Sequence, residues 1–444
     1  MELSGWGRYP RHDSLLVAAG EPEKLASLLR GLPAYVARGN GRAYGDAAVG
    51  AEATFDTTRL NRMRRFDPAA GLLTVEAGVL FSDIIESFLP HGWFPPVVPG
   101  TRFVTVGGMI AADVHGKNHH RDGGFGEHVE SFRLILPSGE AVLCSRTDNP
   151  DLFRATVGGM GLTGTMVEAT LRMNRVETGW IRQRTLPAGN LAEALAVLDR
   201  NSTSSYSVAW IDFLARGRSR GRSLVYLGEH ASLEEVRSAR SSAPTFPPGT
   251  GKTFSVPMDV PSFVLNRHAL RMFNALKFAR ESSGGRETED LIPWDRYFFP
   301  LDGLAGWNRL YGCRGFLQYQ CVVPHPQAAS VLGEILEEIS ASAEAPFLAV
   351  LKTLGAATGL MSFPMPGVTL ALDFPVTEKV FPLLDRLDRL VSTAGGRLYL
   401  AKDARQRPAI FEEGYAGLNA FREIRRTIGA DGKLASMLSK RLAI

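Results

Sequence analysis

Arg38-Gly39-Asn40-Gly41-Arg42-Ala43-Tyr44-Gly45-Asp46 follows a β-like run, Ala34-Tyr35-Val36-Ala37, and packs its glycines close together. As a dinucleotide fingerprint it fails. Tyr44 stands at the third glycine position, and no clear helix follows to aim an N-terminus at a pyrophosphate. As a loop whose backbone N–H groups converge, it suits an anion without any helix. Two more glycine loops lie in the same half of the chain: Pro99-Gly100-Thr101 running to Thr105-Val106-Gly107-Gly108, and residues 157–164. The last contains Gly159-Met160-Gly161-Leu162-Thr163-Gly164, a literal GxGxxG. A helix-like Asp151–Val157 precedes it and a strand-like Met166–Met173 follows, the reverse of the Rossmann order. One such loop reads as a turn; three together point to a cofactor carrying a diphosphate.

Around these loops the pattern is α+β. Leu72-Leu73-Thr74-Val75-Glu76-Ala77 reads as a strand ending at a glycine. Leu25, Leu28, Leu29 and Leu32 recur at helical spacing after Glu21-Pro22, and Phe81, Ile84, Ile85, Phe88 and Leu89 repeat the spacing up to Gly92. From residue 316 the order is strand (Phe316–Val323), helix (Ala328–Ser340), strands (Phe347–Leu354 and Val368–Phe374), helix (Phe381–Ser392) and strand (Arg397–Ala401). This split βαβ order predicts a sheet covered on one face by two helices, with Ser207–Phe213 and Ser223–Leu227 as candidate extensions. Ser241–Pro261, with five prolines, and the polar Arg280–Pro293 read as loops, either over a site or as solvated connections.

Composition narrows the class. The 444 residues are 45% hydrophobic and 22% charged, an ordinary globular balance for two or three domains. A net charge of +4 is too even for a nucleic-acid footprint. Three scattered cysteines make neither a disulfide framework nor a zinc knuckle. No signal-peptide pattern or run of about 18 apolar residues is legible, so a soluble, cytoplasmic protein is expected.

Other motifs carry less. Gly249-Thr250-Gly251-Lys252-Thr253 imitates a P-loop tail but has Phe246 where the first glycine belongs. His115, His119 and His120 lack metal-ligand spacing, which leaves His115 and Lys117 as donors in a polar loop. Gln318 and Gln320 share one face of a strand and Tyr319 and Cys321 the other. With Lys352 in an apolar strand and Lys402 at the end of Leu398–Ala401, these are solvated strand positions or the lining of a polar pocket. Arg422, Arg425, Arg426, Lys433, Lys440 and Arg441 form a solvated basic face or one that meets anionic headgroups.

RGNGRAYGD (38–46), PGTRFVTVGGMIAADVHGKNHH (99–120) and ATVGGMGLTG (155–164) together resemble the FAD-binding domain of the VAO/PCMH flavoproteins. HGKNHH, DRYFFPLD (295–302), FLQYQ (316–320), SFPMPG (362–367) and GGRLYLAKD (395–403) are similar, more narrowly, to the decaprenylphosphoryl-ribose oxidases among them. The resemblance implies a two-domain α+β fold: a cofactor domain from residues 1–178 and 397–444, and an antiparallel-sheet substrate domain from 179–396. It implies FAD on Ala37, Arg38, Gly39, Asn40, Gly41, Arg42, Ala43, Tyr44, Gly45, Asp46, Ala47, Gly100, Thr105, Val106, Gly107, Gly108, Ala112, Asp113, Val114, His115, Val167 and Tyr399. The substrate pocket carries over to Tyr44, Lys117, Tyr297, Gln318, Gln320 and Lys352, with His115 and Lys402 catalytic and Lys402 tied to activity. The implied reaction takes a hydride from C2 of a lipid-linked ribose to flavin N5, giving a 2′-keto sugar. A separate NAD(P)H-dependent reductase returns the hydride to form the arabinose.

Two departures qualify the match. Arg42 stands where covalent members carry histidine, so non-covalent FAD is expected, with His115 a lesser attachment candidate. Ala371 stands where mycobacterial members carry a cysteine open to covalent inhibitors, so no alkylation is expected there. An alditol or aldonolactone oxidase using oxygen, and a non-catalytic sugar-phosphate or nucleotide-binding protein, are the alternatives.

Overall fold

The glycine loops hang from two small sheets, and the glutamine and lysine strands belong to a third, larger one. The computed structural model describes residues 1–18, 24–249, 254–261, 266–342 and 344–444. The expected helix start at Glu21-Pro22 and Thr250–Thr253 of the P-loop lookalike lie outside the described residues.

In the N-terminal half, β1 (Leu15–Ala18), β2 (Tyr35–Arg38) and β3 (Ala53–Asp56) form a parallel sheet in the order β1-β3-β2. Helix α1 (Leu25–Gly31) joins β1 to β2 and buries Leu25 and Leu29. Strands β4 (Met63–Asp67), β5 (Leu72–Glu76), β6 (Val129–Ile135), β7 (Ala141–Ser145) and β8 (Thr165–Arg172) form an antiparallel sheet ordered β7-β6-β8-β5-β4. Helix α2 (Phe81–Phe88) buries Phe81, Ile84 and Ile85, the face its spacing predicts, and the chain leaves it at Gly92 with φ +76°. Helix α3 (Val106–Ala111) is capped by Thr105, whose Oγ1 accepts the Gly108 N–H at 3.3 Å. The GxGxxG run lies between α4 (Pro150–Thr156) and β8, helix before strand.

The second half is dominated by one eight-stranded antiparallel sheet. It comprises β9 (Trp180–Ala188), β10 (Tyr206–Ile211), β11 (Ser223–His230), β12 (Thr288–Pro293), β13 (Phe316–Pro324), β14 (Ala349–Leu354), β15 (Gly367–Pro375) and β16 (Arg397–Leu398). Their order is β12-β9-β11-β10-β14-β15-β13-β16. The split βαβ unit is present, and β10 and β11 extend its sheet as expected. Residues alternate across it. Leu317, Tyr319, Cys321, Leu351, Leu370 and Leu372 pack under α5 (Leu191–Arg200), α7 (His325–Ala341) and α8 (Val380–Thr393), while Gln318, Gln320 and Lys352 take the other face.

Three readings change. Arg280–Pro293 is not all loop: it ends helix α6 (Arg267–Glu281), turns at Gly284 and Gly285, and forms the edge strand β12. An edge strand keeps charges such as Glu289 and Asp290 in solvent, so it reads as polar loop. The strand expected over Arg397–Ala401 stops at Leu398, because the Lys402 and Asp403 N–H groups both turn back to Tyr399 O. The C-terminal basic face is only partly free: Arg426 and Lys440 are exposed, and the other four are held by the fold. Arg425 is 2% exposed and donates to Leu162 O and Leu434 O, and Lys433 donates to Arg30 O and Leu32 O. Among the described residues no helix is long and apolar enough to cross a membrane.

Arg441 closes the fold instead. It donates to both carboxylate oxygens of Asp46, at 3.1 and 2.9 Å, and lies 2.9 Å from Asp403 Oδ2. Both carboxylates are 3% exposed. Arg441→Ala therefore strands two buried charges and is expected to cost about 3–5 kcal/mol, read as a lowered melting temperature.

Candidate active site

The glycine loops and the polar face of the large sheet wall a single cavity of about 890 Å³. That is near the top of the range for small-molecule sites, about 300–1,000 Å³.

One half of the cavity is backbone. Ala37, Gly39, Asn40, Gly41, Arg42, Ala43, Tyr44, Ala47, Gly100, Thr105, Gly107, Gly108, Ala112 and Val114 line it, joined by Met160 and Gly161 from the third loop. Among the described residues no protein acceptor meets the backbone N–H groups of residues 39–43. Gly41 takes φ +62°, which turns successive amides to one side. A Cβ at Gly39 would overlap Thr105 Oγ1, so the first two loops close on one another only because this residue has no side chain. Unpartnered amides, close loop contact and the adjacent Arg42 fit the diphosphate of FAD. The Arg42 guanidinium lies 4.0 Å from the centre of the Trp6 ring.

Six of the expected cofactor residues do not line the cavity; they hold its walls from behind. Arg38 donates to Ser4 O and Ala48 O, and Asp46 is taken by Arg441. Asp113 accepts from Gly126 N–H at 2.9 Å and Ser362 Oγ at 2.5 Å. Val106 and Val167 join the loops to neighbouring backbone through Val79 and Ala77, and Gly45 is pressed against the Asp403 backbone.

The other half is side chain. His115, Lys117, Tyr297, Gln318, Gln320, Lys352, Tyr399 and Lys402 all line the cavity with Tyr44. His115 Nε2 is 2.9 Å from the Gln320 amide nitrogen and its Nδ1 is 3.3 Å from Lys352 Nζ. Gln320 also reaches Thr369 Oγ1 at 3.2 Å. Gln318 donates to Asp373 Oδ1 at 2.6 Å. Lys117 donates to Tyr297 O and sits 4.0 Å from that ring's centre, while Lys402 Nζ lies 3.5 Å from the centre of the Tyr44 ring. Tyr399 donates to Ala112 O at 2.9 Å and stacks on Phe363 at 4.6 Å.

Burial sets the protonation states. It pushes the Lys117 ammonium down to about 7, with Lys352 repelling it, and lowers Lys352 to about 8. Lys402 is lowered by burial against the attraction of Asp373, whose own carboxyl burial raises. His115 is held well below the usual histidine range by burial and then by Lys352, so its ring is neutral at pH 7. Three readily discharged lysines in one cavity suit an anionic substrate and a neutral amine able to take a proton.

The histidines diverge. His119 Nδ1 accepts the Gly355 N–H at 3.0 Å and His120 Nε2 meets Ser204 O at 2.9 Å. Among the described residues no cluster of three or more His, Cys, Asp or Glu side chains is placed to hold a metal.

The sequence reading missed part of the lining. Gln183, Trp210, Tyr226, Phe273 and Lys277 face the cavity from β9, β10, β11 and α6. Val208 and Trp210 alternate with core residues, a usable signal. Asp373, which accepts from Gln318, gave none, being a single carboxylate in a largely apolar strand.

Similarity to known proteins agrees with this geometry. Residues 14–145 match the model of the FAD binding domain. The whole chain aligns with decaprenylphosphoryl-beta-D-ribose oxidase of Mycolicibacterium smegmatis at 35% identity, covering 97% of that protein. A Streptomyces coelicolor protein of uncharacterised function is 34% identical over 81% of this chain and 99% of its own length. A rice L-galactono-1,4-lactone dehydrogenase is 30% identical over only 36% of this chain and 26% of its own. A cradle of free amides facing a pocket of lysines, on a chain that matches the FAD binding domain and is similar over its full length to that ribose oxidase, has one reading: this chain is a member of the FAD-binding oxidoreductases of the VAO/PCMH type.

Proposed function

We propose that the protein oxidises the 2′-hydroxyl of a polyprenylphosphoryl-β-D-ribose to the 2′-keto sugar, the first half of an epimerisation to the arabinose form. The observation that carries the reading is one cavity joining the amide cradle to Lys117, Lys352 and Lys402, in a chain similar from end to end to an oxidase of that substrate. Residues 1–178 and 397–444 hold the cofactor, and 179–396 supply most of the substrate wall. FAD held by these amides would supply the hydride acceptor for the sugar carbon. Lys117 and Lys352 meet the phosphate, and its charge favours their protonated forms. Gln318, Gln320, Tyr44 and Tyr297 orient the sugar hydroxyls. Lys402, as the neutral amine, accepts the hydroxyl proton; Asp373 beside it stabilises the ammonium that results.

Both ring nitrogens of His115 already have partners, so it serves as a positioning residue for Lys352 and Gln320, and the FAD is held without a covalent bond. The keto product leaves for a separate NAD(P)H-dependent reductase. Anaerobic mixing with a polyprenylphosphoryl ribose is expected to bleach the flavin. Bleaching by a soluble polyol or aldonolactone instead, with peroxide on admitting air, would overturn the substrate assignment.

A further inference from the structure

Helix α6 is amphipathic in the wrong sense for a soluble protein. Its inward face is Leu270 and the polar Asn274, 4% and 5% exposed, with Asn274 donating to Asp212 Oδ1 at 2.9 Å. Its outward face carries Met272 and Leu276, exposed at 64% and 63%, beside exposed Ala275 and Ala279. Residues 272, 275, 276 and 279 follow i, i+3, i+4, i+7, so this is a continuous apolar stripe, and such a stripe normally faces a core. The helix bears four cations: Arg267 donates to Ser340 O and Ser342 O, Lys277 pairs with the helix's single carboxylate, Glu281, and Arg271 and Arg280 have no carboxylate partner among the described residues. Arg216 lies close enough to Arg267 for the two charges to repel. Phe273 and Lys277 reach the cavity lining from this same helix. Exposed Phe254 belongs to a strand paired with Leu304–Ala305, which also line the cavity.

We infer that the outer face of α6 docks on an anionic lipid bilayer, its apolar stripe at the acyl boundary and its arginines among the headgroups. A stripe flanked by Arg271 and Arg280, neither paired with a carboxylate, repels a second copy of itself and fits a surface that is apolar inside and anionic at the edge. Docking there brings the cavity close to the bilayer. A lipid-linked sugar phosphate then reaches the lysines while its tail stays in the membrane. That purpose rests on the proposed substrate; the docking itself does not.

The test is flotation of the FAD-loaded protein with vesicles of phosphatidylcholine alone or mixed with phosphatidylglycerol. The wild type is expected to float with the anionic vesicles and to be released by salt. Met272→Ser with Leu276→Ser should reduce the floated fraction at least about tenfold. Arg280→Glu, a fully surface change, should weaken it too, while both variants keep their flavin colour. Absence of wild-type flotation, equal flotation of the variants, or concentration-dependent dimerisation abolished by the double variant would each overturn the inference. No sugar phosphate is present, so this outcome is independent of whether the oxidase assignment stands.

Discussion

Lys402→Ala is expected to slow substrate reduction of the bound flavin by about 10²–10⁴-fold while leaving the FAD in place. Oxidising a hydroxyl requires that its proton leave as the hydride does, to a base held within hydrogen-bond reach. Lys402 is suited to the task. Burial disfavours its ammonium, Lys352 adds repulsion, and these outweigh the attraction of Asp373, so its pKa lies below the ordinary lysine value. The sign follows directly. The neutral amine forms as pH rises through this lowered pKa, so the wild-type reduction rate climbs with pH in a range where an ordinary lysine stays charged. The variant loses that limb of the profile. Lys402→Arg should not restore it, because guanidinium keeps its proton. Anaerobic stopped flow across pH reads all three. A Lys402→Ala protein reduced at the wild-type rate would place the base elsewhere and remove the mechanism.

The second large effect is on the cofactor. Gly39→Ala should weaken FAD binding by about a hundredfold, the loss of roughly 1.5–3 kcal/mol that hydrogen bonds to a charged diphosphate supply. The added Cβ overlaps Thr105 Oγ1 and comes within 3.0 Å of the Thr105 Cβ and Cγ2 atoms. Thr105 has little room to yield: it caps α3, and its backbone bridges to Leu80. The loop at 38–46 must therefore move away from the loop at 99–108, and the amides of residues 39–43 no longer converge. Gly31→Ala, where nothing lies within 4 Å, is the matched control. Titration of apoprotein with FAD, followed by flavin fluorescence, distinguishes the two. Equal affinity in Gly39→Ala and Gly31→Ala would show that these amides do not hold the cofactor.

Much of the site was legible before any coordinates because its signals are local. Alternation put Gln318 and Gln320 on one face and Tyr319 and Cys321 on the other, and the sheet keeps that division because a two-residue period leaves no other way to bury the apolar set. The glycine loop at 38–46 is legible as a run of free backbone amides, and no protein acceptor among the described residues meets the N–H groups of residues 39–43. The same local reading misjudged Arg280–Pro293, where an edge strand and a helix end look like solvated loop. It also passed over Asp373, a single carboxylate in an apolar strand.

The C-terminal cations and helix α6 mark the boundary. From sequence, Arg425 and Arg441 belong to a basic face that is solvated or meets headgroups; the fold buries the first and pairs the second with Asp46, and it alone leaves Met272 and Leu276 exposed. What the chain alone determined was its periodicity and its glycine hinges, properties of neighbouring residues. Only tertiary structure decided which charges are buried, which are paired and which apolar stripe is left outside. Burial and pairing are set by segments hundreds of residues apart, as Asp46 and Arg441 are.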